Sequence, residues 1–113
     1  MIDWARVNAL RDEIGAADFA EVVTLFLEEA DEVVSRLSNL LGAPRLEADL
    51  HFLKGAALNL GFADFASLCQ IGERRAAQGD ASADLQEIRH SYAASKTAFD
   101  RGLATPGPRS AAG

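Results

Sequence analysis

Residues 18–41 read DFAEVVTLFLEEADEVVSRLSNLL, and this stretch decides the fold class. Phe19, Val22, Val23, Phe26, Leu27, Ala30, Val33, Val34, Leu37 and Leu41 recur at spacings of three and four, which predicts a long amphipathic helix. Asp18, with Glu21 three positions later, has the form of a capping box at its start. Gly42 is expected to end it, and Pro44 suits the first turn of the next helix, where a missing N–H costs nothing.

The same spacing extends both ways along the chain. Upstream, Asp3 can cap a short helix that begins at Trp4 and buries Val7, Leu10 and Ile14. Downstream, a helix from about residue 44 to 60 carries Leu46, Leu50, Leu53, Ala57 and Leu60 on one stripe, and Gly61 closes it. Asp64 can cap a fourth helix, with Phe65, Leu68, Cys69, Gly72 and Ala76 inward and Gly79 at its end. Asp80 or Ser82 can start a fifth, whose inner face holds Leu85, Ile88, Tyr92, Ser95, Phe99 and Leu103. No useful period-two alternation and no internal repeat appears, so the expectation is all-α. Four long helices with short connections predict an antiparallel up-and-down four-helix bundle with a short additional N-terminal helix. The bundle is expected over 1–103 and a disordered tail over 104–113, where 105–113 reads TPGPRSAAG.

Composition narrows the function. The 113 residues suit one domain, and 49% hydrophobic with 25% charged residues is a globular balance. Lys+Arg 11 against Asp+Glu 17 gives a net charge of −6, with no basic run. Nucleic-acid binders usually gain affinity by neutralising phosphates with clustered cations, so that class is disfavoured here. No apolar run approaches the roughly 20 residues that span a bilayer. MIDWARVNAL has no signal-peptide pattern, and one cysteine, Cys69, allows no intrachain disulfide framework; the expected location is the cytoplasm. The initial Met and loose tail are those expected of a complete chain.

The third helix carries the candidate site. At roughly 100° per residue, its apolar stripe centres about 140° from His51, so the imidazole should face solvent. Glu47, Lys54, Gly55 and Leu58 share its face. Gly55 asks for a reason, because an interior helical glycine costs about 0.5–1 kcal/mol relative to alanine. Without a side chain there, another molecule can approach the ring, and Ala56 and Ala57 keep the neighbouring surface low. Lys54 places a positive charge that favours a phosphoryl group. Leu58 and Ala56 are candidates for a partner-docking patch. Taken singly, each has an ordinary reading: a solvated histidine, a surface lysine, a packing glycine, a scattered exposed leucine. Glu47 opposes phosphate, though weakly at an exposed site.

Together they form a pattern. HFLKGAALNLGF, residues 51–62, resembles the motif of the histidine-containing phosphotransfer (HPt) family: H-x-L-K-G, then small residues, with a glycine ten positions after the histidine. The match takes in His51, Leu53, Lys54, Gly55 and Gly61. It extends to Leu68 and Glu73, where the family commonly has an apolar residue and a Glu or Gln. The resemblance implies a helical bundle whose exposed histidine takes a phosphoryl group from a receiver aspartyl-phosphate and passes it to another receiver. It makes His51 the phosphoacceptor, Lys54 the phosphate-favouring charge, Gly55 the opening for the receiver, and Glu73 a residue that can orient the ring. The serine that often follows the glycine in the family is replaced by Ala56, so a hydroxyl contact is absent.

The chemistry implied is that of a phosphorelay carrier in a two-component system. One imidazole nitrogen attacks while the other holds its proton. No cofactor of its own is expected; magnesium belongs to the receiver partner, in a response regulator or hybrid histidine kinase. No GxxxxGK[ST] or other nucleotide-binding element is present, so an autokinase or other enzyme is not expected. A di-iron bundle needs inward Glu and E-x-x-H pairs, whereas Glu47 and His51 form E-x-x-x-H on the outer face. A zinc site lacks ligands, and His90 is expected to be an exposed helix residue. The alternative from another class is a non-catalytic module that docks a receiver or kinase without carrying phosphate, a role that requires no nucleophile at position 51.

Overall fold

The computed structural model describes residues 1–104, so the expected tail, apart from Ala104, lies outside the described residues. Its helices are α1 (Trp4–Ile14), α2 (Ala16–Arg36), α3 (Ala43–Leu60), α4 (Ala63–Ala77) and α5 (Leu85–Ala104), with a short 3₁₀ turn at Asn39–Leu41. The all-helical architecture agrees with the expectation. Among the described residues there is no strand, only an isolated bridge between Ile2 and Phe62.

Antiparallel order follows from which ends meet. Arg36, at the end of α2, reaches Asp49 in the early half of α3. Arg89, near the start of α5, donates to the carbonyls of Val34 and Leu37, while Tyr92 and Lys96 reach back to Asp31 on α2. Val7, Leu10, Leu46, Leu50, Leu53, Leu60, Phe65, Cys69, Ile88, Tyr92 and Phe99 bury as their periodicity predicts. Phe62 is also wholly buried, against Phe99 at 5.5 Å and Tyr92 at 6.4 Å between ring centroids. It sits in a turn, where helical spacing carries no information.

Several helix ends differ from their sequence signals. α2 starts at Ala16 behind Gly15, so Asp18 lies in the first turn and makes no capping box. Its carboxylate there faces the positive end of the helix dipole instead. α2 also stops at Arg36, not at Gly42, because Leu37 turns to extended geometry and buries its side chain. Ser38 then caps the 3₁₀ turn, which leaves Leu41 exposed and Leu40 94% exposed. Asp64 falls inside α4, whose N-cap is Phe62. Asp80 and Ser82 bond to each other in a turn, and the α5 start belongs to Asp84, which accepts from the Glu87 amide at 3.1 Å. At α1 the expectation holds: Asp3 accepts from the Arg6 amide.

Gly61 ties the N-terminus to the α3–α4 turn. It adopts φ +75, and a Cβ there would lie 2.6 Å from the Asp3 carbonyl oxygen. That same segment is bonded across the turn, from the Asp3 amide to the Gly61 carbonyl at 2.7 Å. Both a left-handed backbone and a backbone clash would therefore oppose any side chain. Gly61→Ala is expected to lower stability by about 1–3 kcal/mol, read as an earlier denaturant midpoint at unchanged slope. An unshifted midpoint would show that the N-terminal segment yields freely.

Candidate functional site

α3 presents His51 outward with its side chain 69% exposed, as the helical geometry predicts. The Nδ1 atom lies 2.8 Å from Glu73 Oε2 on α4. The other carboxylate oxygen, Oε1, forms an ion pair with Lys54 Nζ at 2.9 Å. Glu73 is thus shared between two residues three apart on α3, and it is itself largely shielded from solvent. The Lys54 ammonium holds its carboxyl below the ordinary glutamate range; burial opposes this, and the His51 bond adds to it.

That arrangement assigns the imidazole protons. An ionised carboxylate only accepts, so Nδ1 carries the hydrogen and donates it to Glu73. In the neutral ring Nε2 then holds an unshared pair, on a side chain open to solvent. The helices come close enough for this contact because of the preceding residue on each. Gly72 lies opposite Leu50, and a Cβ on Gly72 would approach Leu50 Cδ1 to 2.8 Å. The absent side chain lets α4 settle onto α3, and Glu73 meets His51 one residue further on. Sequence reading placed Gly72 on the inward face without this role. Its signal was a glycine in mid-helix, where propensity disfavours one.

The other site candidates separate into two groups. Gly55 is exposed, and a Cβ added there would meet nothing within 4 Å. Its carbonyl accepts from Asn59 Nδ2, and Asn59 accepts in turn from Arg6 on α1, which braces this turn of α3. Leu58 is exposed on the His51 face. Ala56 departs from expectation: it is only 7% exposed and cannot supply docking surface. Its position on α3 turns it away from the His51 face and into the bundle, and Ala57 is buried likewise. Glu47 is half-buried and makes no ion pair among the described residues. His90 is exposed on α5, whereas Cys69 is buried, its thiol pushed up to about 12 by burial and then by Glu73. Among the described residues, no group of three His, Cys, Asp or Glu side chains could hold a metal ion, and no helix is long and apolar enough to cross a membrane.

Comparison with known proteins fits this geometry. The family model described as the Hpt domain matches residues 21–99, which takes in most of α2, all of α3 and α4, and most of α5. The chain belongs to the Hpt domain family. It is also 36% identical over 64 residues to histidine-containing phosphotransfer protein 2 of Oryza sativa subsp. japonica, covering 51% of this chain and 43% of that protein. The match thus spans less than half the length of this curated relative. No solved structure matches the chain at a significant level. In this Hpt domain the matched region contains all of the His51, Lys54 and Glu73 arrangement.

Proposed function

We propose that this Hpt domain is a phosphorelay carrier: His51 Nε2 accepts a phosphoryl group from a receiver aspartyl-phosphate and passes it to an aspartate of another receiver. The observation that carries this reading is the contact between His51 Nδ1 and Glu73 on a solvent-open ring. A module that only docked its partners would have no use for a carboxylate that fixes the tautomer of an exposed imidazole.

The step balances simply. The Nε2 pair forms a bond to phosphorus as the acyl P–O bond breaks, and the aspartate leaves as carboxylate. The ring becomes cationic, and its Nδ1–H stays bonded to Glu73, which stabilises the charge that develops. Lys54, beside the ring and already paired with Glu73, supplies a cation within the same cluster for the incoming phosphoryl oxygens. Magnesium would be held by the receiver partner, a response regulator or hybrid kinase, and the location proposed is the cytoplasm. The carrier needs no nucleotide of its own.

The test mixes the chain with a receiver domain that carries labelled phosphate on its aspartate, in magnesium. Label should move to this chain and be lost in acid but kept in base, as a phosphoramidate is. Label that stays on the receiver, or reaches this chain as an acid-stable ester, would overturn the reading. Gly55 makes a further prediction. Because nothing lies within 4 Å of its missing Cβ, Gly55→Gln should fold at least as stably as the parent, with helix propensity contributing roughly 0.5 kcal/mol or more. Its side chain would stand beside the ring and is expected to slow receiver transfer about tenfold, on the order of 1.4 kcal/mol. Transfer at the parental rate would remove the steric role of this glycine.

A further inference from the structure

The 3₁₀ turn before α3 presents an apolar side chain that the bundle does not use. Leu40 is 94% exposed, and Leu41 beside it is 54% exposed. Single exposed leucines are ordinary, but this one stands on a tightly held turn. Ser38 Oγ accepts from the Leu40 amide at 3.0 Å. Asn39 Nδ2 donates to the carbonyls of Ala81 and Ala83 at 2.6 and 3.1 Å. The backbone that carries Leu40 is thereby fixed to the α4–α5 connection, so docking this leucine orders little more than a side chain.

Beside this knob lies a groove, between the turn and the start of α5. Leu37, Ala83 and Leu85 give it an apolar lining, and Leu40 itself borders it. Asp84 and Arg89 border it as well. Among the described residues neither has an ion pair. Asp84 accepts from the Glu87 amide, and the Arg89 guanidinium donates to the neutral carbonyls of Val34 and Leu37. One face of the molecule thus holds a projecting leucine, an apolar recess, an unbalanced carboxylate and an unbalanced guanidinium.

A surface with both a knob and a recess is complementary to itself across a two-fold axis, and such reciprocal contacts close at two copies. We propose that this end of the bundle is a homodimer contact, in which Leu40 of each copy seats in the groove of the other and Asp84 of each faces Arg89 of the other. The net charge of −6 on each chain opposes association, so the dimer is concentration-dependent and forms best where salt screens that repulsion. His51 is eight residues beyond Ala43 at the start of α3, about 12 Å along the helix, and does not line the groove. The dimer therefore leaves both imidazoles open, and the inference stands apart from the carrier reading of His51.

The experiment is sedimentation of the full chain at concentrations up to about 1 mM in about 0.15 M salt. The mass should rise from one chain towards two and no further. Leu40→Asp, at a position the fold leaves in solvent, should weaken the dimer roughly 30-fold or more. Asp84→Asn keeps a capping side chain at the start of α5 and removes only its charge, and should weaken the dimer about threefold. In a mixture of isotope-labelled and unlabelled chains, NOEs should connect the Leu40 methyls of one copy to Ala83 and Leu85 of the other. A parent that keeps a single chain's mass over the whole range overturns the proposal. A dimer that Leu40→Asp leaves unchanged, or growth beyond two copies, overturns it equally. Resonance shifts at Leu40 and Leu85 that appear only when a receiver domain is added to a monomeric chain would assign the patch to the receiver and likewise overturn it.

Discussion

Replacing His51 with glutamine is expected to abolish phosphoryl transfer to this chain while leaving the helical bundle intact. On the proposed carrier role the loss should be complete rather than partial, because that role makes Nε2 the nucleophile and an amide nitrogen has no available pair to replace it. Stability should change little. The ring is mostly exposed, among the described residues it bonds only to Glu73, and Glu73 keeps its ion pair with Lys54 when the ring is gone. A surface change of this kind stays within about 0.5 kcal/mol. The measurement is label transfer from a phosphorylated receiver beside a thermal or denaturant melt. Undiminished labelling of a folded His51→Gln protein would place the phosphoryl group elsewhere, and loss of the fold would make His51 structural.

Glu73→Ala carries the second largest expectation. It removes the acceptor at Nδ1, so the ring is free to rotate and to place its proton on either nitrogen. It also frees Lys54. Transfer should fall on the order of 10-fold to 100-fold, with the chain still accepting some label, since the proposed nucleophile itself remains. Lys54→Met should also slow transfer, but with Nδ1 still held, which separates the lysine's charge from the tautomer. The pH dependence has a definite sign. Glu73 has its carboxyl lowered in the folded chain, chiefly by Lys54, so its contribution is present above the ordinary glutamate range. It persists as pH falls through that range and is lost only below it, where the lowered carboxyl takes up its proton. A parent whose transfer advantage over Glu73→Ala persisted at fully protonating pH would show that the carboxylate charge plays no part.

Helix identity, inward faces and the exposure of His51 were all legible because they depend on an angle of about 100° per residue, a local property of the chain. Leu50, Leu53 and Leu60 bury and His51 does not, whatever α3 packs against. Gly61 was legible as a helix end for an equally local reason, since a left-handed φ suits glycine. The boundaries were less so. Asp18 and Asp64 are good capping residues by type, yet each helix begins before them, because the first turn is set by where the preceding chain can enter the bundle. Leu41 has the right spacing for α2, but the helix has already ended at Arg36. Ala56 was misjudged for another reason: its small size suggested open surface, yet at about 100° per residue it falls about 140° from His51, at the centre of the apolar stripe, and it is buried.

The sequence by itself therefore determined an all-helical chain, the solvent side of α3 and the residues His51, Lys54, Gly55 and Leu58 that share it. The H-x-L-K-G resemblance added the expectation of a role for Glu73. What tertiary structure alone decided is how Glu73 connects to that face. Its oxygens reach His51 and Lys54 across two helices, 22 and 19 positions back along the chain, because Gly72 lets α4 rest against Leu50. Distance between helices depends on side-chain volumes brought together from separate segments, and no spacing within one segment encodes it.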